Sequence, residues 1–236
     1  MRKIGSLSTL LIIVCVSMAA ARSARADTVG WTDWTSYTNG ATTGSATGSI
    51  SSLGITLTYS GEVEGYNATT PSWTPSTSYA GGSIANAPPA ADGALVLFGA
   101  QGATDTVTFS APVVDPTIAV WSLGEASLPA SFDFTASEPF TIEAGGPSSE
   151  YGGSSLYVCA DNADAVCGEE GNGTIQLDGT FSSITWTNPG YENYYDFTIG
   201  AADPPSDPVP EPSSLLQLGV GVLGLAAFSL KRKCLA

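Results

Sequence analysis

Nine short stretches of this chain alternate apolar and polar residues with a period of two, each set between turn-forming residues. They are 53–60 (LGITLTYS), 93–99 (GALVLFG), 104–110 (TDTVTFS), 117–123 (TIAVWSL), 130–136 (ASFDFTA), 154–160 (SSLYVCA), 173–179 (GTIQLDG), 181–187 (FSSITWT) and 194–200 (YYDFTIG). Period two is the repeat of a half-buried β-strand, because successive side chains point to opposite faces. Their Val, Ile, Thr and aromatic content suits the pleated surface. No amphipathic repeat of helical length interrupts them. Residues 27–200 therefore read as an all-β domain, and a two-sheet β-sandwich, of which the jelly roll is one form, buries so many short strands. Two intervals, 31–52 and 66–89, are rich in Thr, Ser, Gly and Pro with embedded aromatics, and read as long surface loops.

The two ends read differently. Arg2 and Lys3, the apolar run 7–21 and Ala24-Arg25-Ala26 have the order of a secretory signal peptide, here 1–26, with maturation near Asp27. After the domain comes a proline-rich linker, 201–212, which reads as an extended spacer of up to about 37 Å. Leu215 to Leu230 carries no charge and spans about 24 Å as a helix, with Ser213 and Ser214 able to lengthen it. The expectation is a single C-terminal transmembrane helix within 213–236. Lys231, Arg232 and Lys233 follow it, so the positive-inside rule places them in the cytoplasm and the domain outside.

Charge separates the ends from the body. All seven Lys and Arg lie at or before Arg25 or at and after Lys231, and there is no His. All 22 Asp and Glu fall between Asp27 and Glu211, so that span has a formal charge of −22. Nucleic acid and anionic headgroups are held through Lys and Arg, so both are excluded as partners of the domain. A Ser-His-Asp triad, a Schiff-base lysine, a His metal ligand and a phosphate-clamping arginine are equally impossible. No cofactor is expected; calcium, which takes oxygen ligands, is the one metal the composition could serve.

The residues Val209-Pro210-Glu211-Pro212, the glycine-bearing apolar segment and the terminal basic cluster resemble a PEP-CTERM sorting signal of Gram-negative bacteria. The resemblance implies recognition of Pro210, Glu211 and Pro212 by an exosortase-type processing enzyme, with Lys231, Arg232 and Lys233 as the topology cluster. It further implies an exported protein held at the membrane, or released after processing, and associated with exopolysaccharide or biofilm. It covers about the last thirty residues and assigns nothing to the body.

Within the body, Cys159 and Cys167 are expected to form a disulfide in the oxidising compartment that export implies, the alternative being two buried thiols. Glu62 and Glu64, two apart in SGEVEGY, would share one face of an extended strand about 7 Å apart. That spacing admits a carboxylate-dependent glycoside hydrolase, or simply a solvated hairpin edge. The acidic run 161–173 reads as a plain acidic loop or a calcium loop that departs from the EF-hand spacing. Trp31, Trp34, Trp73, Tyr191 and Tyr194, with Tyr79 and Tyr195, lie in or beside the loops and would either pack locally or stack on sugar rings. Trp121 and Trp186 lie in alternating strands and read as core. The leading functional expectation is a non-enzymatic surface or matrix protein that binds extracellular polysaccharide; the alternatives are the hydrolase and a purely structural acidic coat.

Overall fold

The computed structural model describes residues 26–99 and 102–202. The signal segment up to Arg25, the linker beyond Ala202 with Pro210, Glu211 and Pro212, and the segment 213–236 with Lys231, Arg232 and Lys233 lie outside the described residues. Sixteen strands follow in chain order: β1 (Val29–Trp31), β2 (Asp33–Thr38), β3 (Gly40–Ile50), β4 (Ile55–Val63), β5 (Gly65–Asn67), β6 (Ala94–Leu97), β7 (Asp105–Val114), β8 (Thr117–Leu123), β9 (Ala130–Phe134), β10 (Phe140–Gly145), β11 (Ser154–Ser155), β12 (Tyr157–Val158), β13 (Ala165–Gly168), β14 (Gly171–Leu177), β15 (Thr180–Thr187) and β16 (Tyr195–Ala202). No α-helix occurs among the described residues. They hold no helix long and apolar enough to cross a membrane.

The strands form two sheets. The first runs β12-β13-β9-β15-β7-β4-β3-β2 and the second β10-β14-β8-β16-β6-β5, with β1 added on β16 and β11 on β14. All pairs are antiparallel except the short β11–β14 contact. Each of the nine alternating stretches contains strand, and between the sheets their apolar positions meet. Leu57, Tyr59, Val107, Phe132, Ile184 and Trp186 face Leu95, Ile118, Val120, Ile175, Phe197 and Ile199, all buried. Tyr59 and Trp186 reach across to Phe197 at ring-centroid distances of 5.4 and 5.6 Å. Each such side chain contributes about 1.5–3 kcal/mol on burial, so this layer is the main source of stability.

The interval 31–52 is not a loop. It holds β2 and β3, and β3 pairs with β4 over Ser45 to Ile50. Its inward positions are Gly44, Ala46, Gly48 and Ile50, its outward ones Ser45, Thr47 and Ser49. Glycine stands where an apolar side chain is expected because the space is taken. A Cβ on Gly44 would sit 2.7 Å from Val63 Cβ, and one on Gly48 2.4 Å from Thr32 Cγ2 and 2.9 Å from the Asp33 carbonyl. The outward hydroxyls continue across the sheet in register, Ser36 beside Thr47, Thr58, Thr108 and Ser183, which gives this face uncharged rows.

The interval 66–89 is irregular but is no free surface loop either. It crosses the outer face of the second sheet and seals a second apolar cluster, with Trp73, Tyr79 and Ile84 packed on Val29, Trp31, Ala94, Ala119 and Trp121. Trp73 and Tyr79 meet edge to face at 5.3 Å.

β4 breaks its alternation at Gly61, where the pairing with β3 shifts register between Gly40 and Gly44. Gly61, Glu62 and Val63 are buried in succession. Glu62 is therefore turned into the interior, and its N–H donates to Asp105 Oδ1 at 2.9 Å. A bulge thus removes the shared solvent face on which a Glu62–Glu64 pair depends. The acidic run 161–173 likewise resolves into the hairpin β12–β13, the turn at Glu169 and Glu170 and the start of β14; Cys159 and Cys167 are disulfide-bonded across that hairpin.

Gly48→Ala is expected to lower stability by about 1–3 kcal/mol, since the new methyl meets Thr32 and main chain with no room to move. Denaturant titration of the exported domain measures it; an unchanged midpoint would refute the packing account of β3.

Candidate functional site

Four connections converge at one end of the sandwich. Glu170 N donates to Gly124 O at 3.1 Å, joining the β13–β14 turn to the β8–β9 connection. Gly124 N donates to Glu192 Oε2, whose other oxygen accepts Asn193 N at 2.9 Å and Tyr194 N at 3.2 Å, adding the β15–β16 connection. Asn172 Nδ2 donates to Gly152 O at 3.2 Å and Glu170 O at 2.9 Å, which ties in the segment before β11. The loops border an open, shallow groove with two adjoining lobes of about 620 and 440 Å³ that share Ala126 and Glu170.

The backbone here is held in an unusual state. Of the four non-glycine residues at positive φ among the described residues, Ser122, Ser127 and Glu170 line this groove. Such conformations cost about 1–3 kcal/mol each, and they persist only where neighbours over-determine them. Ser122 N donates to Asn172 Oδ1 at 3.0 Å and Ser122 Oγ to Glu170 Oε2 at 2.6 Å, which supplies that restraint. Gly153 belongs to the same set: a Cβ there would lie 2.1 Å from the Glu170 carbonyl.

Two tyrosines form the apolar part. Tyr151, 73% exposed, and Tyr194, 39% exposed, both rest on buried Trp121, at centroid distances of 5.4 and 5.9 Å. Tyr157 lines the first lobe and Tyr191 stands beside the second, its hydroxyl donating to Asn193. Most of the large exposed hydrophobic side chains of the described residues, Leu128, Tyr151, Tyr157, Val158, Tyr191 and Tyr194, lie on these connections or the adjoining β12 strand. A concentration of that kind marks a contact surface, whereas scattered exposed aromatics do not.

Asp196 lies beneath, paired across the ladder with Trp121. It accepts Asn67 Nδ2 at 3.1 Å and Ser72 Oγ at 3.2 Å; Asn67 also donates to Tyr194 Oη at 3.0 Å. Burial pushes its carboxyl up to about 6, against those hydrogen bonds. Burial likewise raises Glu192, against the three N–H donors it accepts. On the far side of the second sheet Asp105 is also pushed up to about 6 by burial, while the Tyr59 hydroxyl and Glu62 N–H it accepts pull it down.

The expected aromatic contacts divide. Tyr191 and Tyr194 are exposed at the groove. Trp31, Trp34 and Trp73 are only 5, 3 and 2% exposed, so they present no face to a ligand. Trp31 and Trp73 belong to the second apolar cluster, and Trp34 packs on Phe197 with its indole N–H donating to Thr198 Oγ1 at 3.2 Å. Their size makes them the most effective means of closing these layers. Tyr151 and Tyr157 were not singled out by sequence; the available signal was Tyr151 directly before Gly152-Gly153, an aromatic carried on a glycine tip. No group of three or more Asp, Glu, His or Cys side chains among the described residues is placed to hold a metal ion.

A family model, the PEP-CTERM protein-sorting motif, matches residues 208–233. This chain carries a PEP-CTERM sorting signal. The signal indicates an exported protein sorted by an exosortase and anchored to the membrane at its C-terminus. No curated protein and no solved structure matches the chain significantly.

Asp105 and Asp196 bind a proton more readily in the folded than in the unfolded chain, where a carboxyl titrates near 3.8. Their contribution is complete below the unfolded value and is lost as pH rises through about 6, so stability should increase by about 1 kcal/mol per group from about pH 8 to about pH 5. Urea midpoints across that range test this, and Asp105→Asn should remove one share. For the sorting signal, replacing Pro210, Glu211 and Pro212 together by Ala should leave a larger, membrane-retained form on immunoblots of cell fractions.

Proposed function

We propose that this PEP-CTERM protein is a non-enzymatic surface or matrix protein whose domain binds extracellular polysaccharide through the groove between Tyr151 and Tyr194. The observation that carries the reading is the pair of solvent-facing tyrosines braced on Trp121 at the mouth of a groove lined by serines and carboxylates. A pyranose ring has one apolar face and a rim of hydroxyls. Tyrosine rings held from behind offer that face a flat partner with little freedom left to lose. Ser154, Ser155, Ser127 and Asn193 supply hydroxyl and amide groups at the rim. Export and C-terminal anchoring support this reading, because an exported domain can meet extracellular polysaccharide, and association with exopolysaccharide or a biofilm is part of the proposal.

A hydrolytic reading centred on Glu62 and Glu64 draws no support from the geometry, since Glu62 is fully buried. Incubating the wild-type domain with the producer's own polysaccharide and assaying reducing ends distinguishes binding from cleavage. Retention without release of reducing ends is the expected result. Tyr151→Ala and Tyr194→Ala should each weaken binding about five- to tenfold in affinity electrophoresis, in line with loss of one ring contact of about 1 kcal/mol or more. Unchanged mobility of both variants would rule out the groove as the site.

A further inference from the structure

We infer that the domain carries a second polysaccharide site, at the β2 edge of the first sheet, which takes an uncharged chain: one ring on Tyr37 and Tyr66, and the following residues along the outward hydroxyls of β2, β3, β4 and β7. It shares no lining residue with the groove and goes beyond the function proposed above. A cavity of about 270 Å³ opens there, lined by Trp34, Thr35, Ser36, Tyr37 and Tyr66. Tyr37 is 47% exposed and rests on Tyr66 at a centroid distance of 5.6 Å. Tyr66 is itself held, its hydroxyl donating to Trp34 O at 3.1 Å. A ring supported in this way suits the apolar face of a pyranose.

A bulge makes the polar side of the site. β2 shifts register on β3 between Trp34 and Ser36, and Thr35 and Ser36 both meet Thr47. Thr35 Oγ1 donates to Thr47 O at 3.2 Å, and the Ser36 and Thr47 hydroxyls pair at 2.6 Å. Bulges at sheet edges re-aim side chains in this manner beside binding sites. From Ser36 the row continues in register through Thr47, Thr58 and Thr108, where the rim of a depression of about 190 Å³ includes Thr58 and Thr108. Thr38, Ser45, Ser60 and Thr106 form a parallel row. Hydroxyls thus repeat about every 4.8 Å across the strands and about every 6.7 Å along them.

Charge decides the ligand class. Neither row contains an ionisable residue, although the span from Asp27 to Glu211 bears 22 Asp and Glu. A hydroxyl both donates and accepts, so the rows match ligand hydroxyls in either role. An ammonium group finds no countercharge along them, and an anionic chain finds no Lys, Arg or His anywhere in the body. Burial, and after it the charges of Asp33 and Asp92, push the Tyr66 hydroxyl above its usual value, which sets those two carboxylates beside the cavity. There they accept hydroxyls of a neutral sugar and repel a uronate. With the proposed groove site, one domain would hold two chains at once.

The test is affinity electrophoresis of the exported protein in gels containing a soluble neutral β-glucan, galactomannan or xylan, beside polygalacturonate. At least one neutral polymer should retard the protein, with little effect of added salt, and polygalacturonate should not. Tyr37→Ala should weaken that binding about five- to tenfold. Thr47→Val keeps the side-chain shape but removes the hydroxyl, and should weaken it about two- to fivefold. The double variant Tyr151→Ala with Tyr194→Ala should keep the part that depends on Tyr37. Retardation untouched by both Tyr37→Ala and Thr47→Val, or abolished by salt, overturns the second site and leaves the groove to its own variants. Complete loss in the groove double variant also overturns it, since one site then accounts for all binding. Loss in Tyr37→Ala with none in the groove variants upholds the second site and removes the groove. No retardation by any neutral polymer overturns the inference outright.

Discussion

A domain with no cation between its ends cannot neutralise a buried carboxylate by ion pairing, and this constraint runs through the whole structure. Every carboxylate that enters the interior must be held by N–H and O–H donors. Asp105 takes the Glu62 N–H and the Tyr59 hydroxyl, and Asp196 takes Asn67 and Ser72. Glu138 takes Thr185 N at 2.6 Å and Thr135 Oγ1 at 2.8 Å, and so fastens the β9–β10 turn to β15. These bonds supply no countercharge, and both donors to Asp105 reach the same oxygen, Oδ1, which is why burial leaves Asp105 and Asp196 titrating high.

The same constraint shapes the groove. Glu192 and Glu170 serve as connectors between neighbouring turns, a task that an arginine or lysine performs elsewhere. They work by accepting N–H and O–H donors, and the turns they join include the positive-φ residues Ser122, Gly124 and Glu170. Its walls remain uniformly acidic. An acidic groove bordered by exposed tyrosine rings is a narrower chemical statement than an acidic surface, and it links the composition of the body to one local site.

Aromatic residues show where reading along the chain stops being enough. Trp31, Trp34 and Trp73 sit in Thr- and Gly-rich surroundings that resemble exposed loops, yet all three close apolar layers. Local composition cannot report that 66–89 folds back over the second sheet, because the partners Ala94, Ala119 and Trp121 lie far along the chain. Tyr151 is the reverse case, an unremarked residue that long-range packing on Trp121 turns into the most exposed ring of the groove. β3 was illegible for a related reason. Two of its inward positions, Gly44 and Gly48, are emptied to glycine by Thr32 and by neighbours from β2 and β4, which erases much of the apolar half of the alternation.

Sequence alone determined the class of the body, the strands with intact alternation, the Cys159–Cys167 pairing and the sorting signal at 208–233. All of these depend on local periodicity, on compartment chemistry or on a contiguous motif. Tertiary structure alone decided which carboxylates are buried and which aromatics face solvent. Where residues 41–43 of β3 lie opposite Glu62 alone, Glu62 is buried rather than on a solvent face, and a register shift of that kind is set by strand pairing, which no stretch of chain specifies by itself.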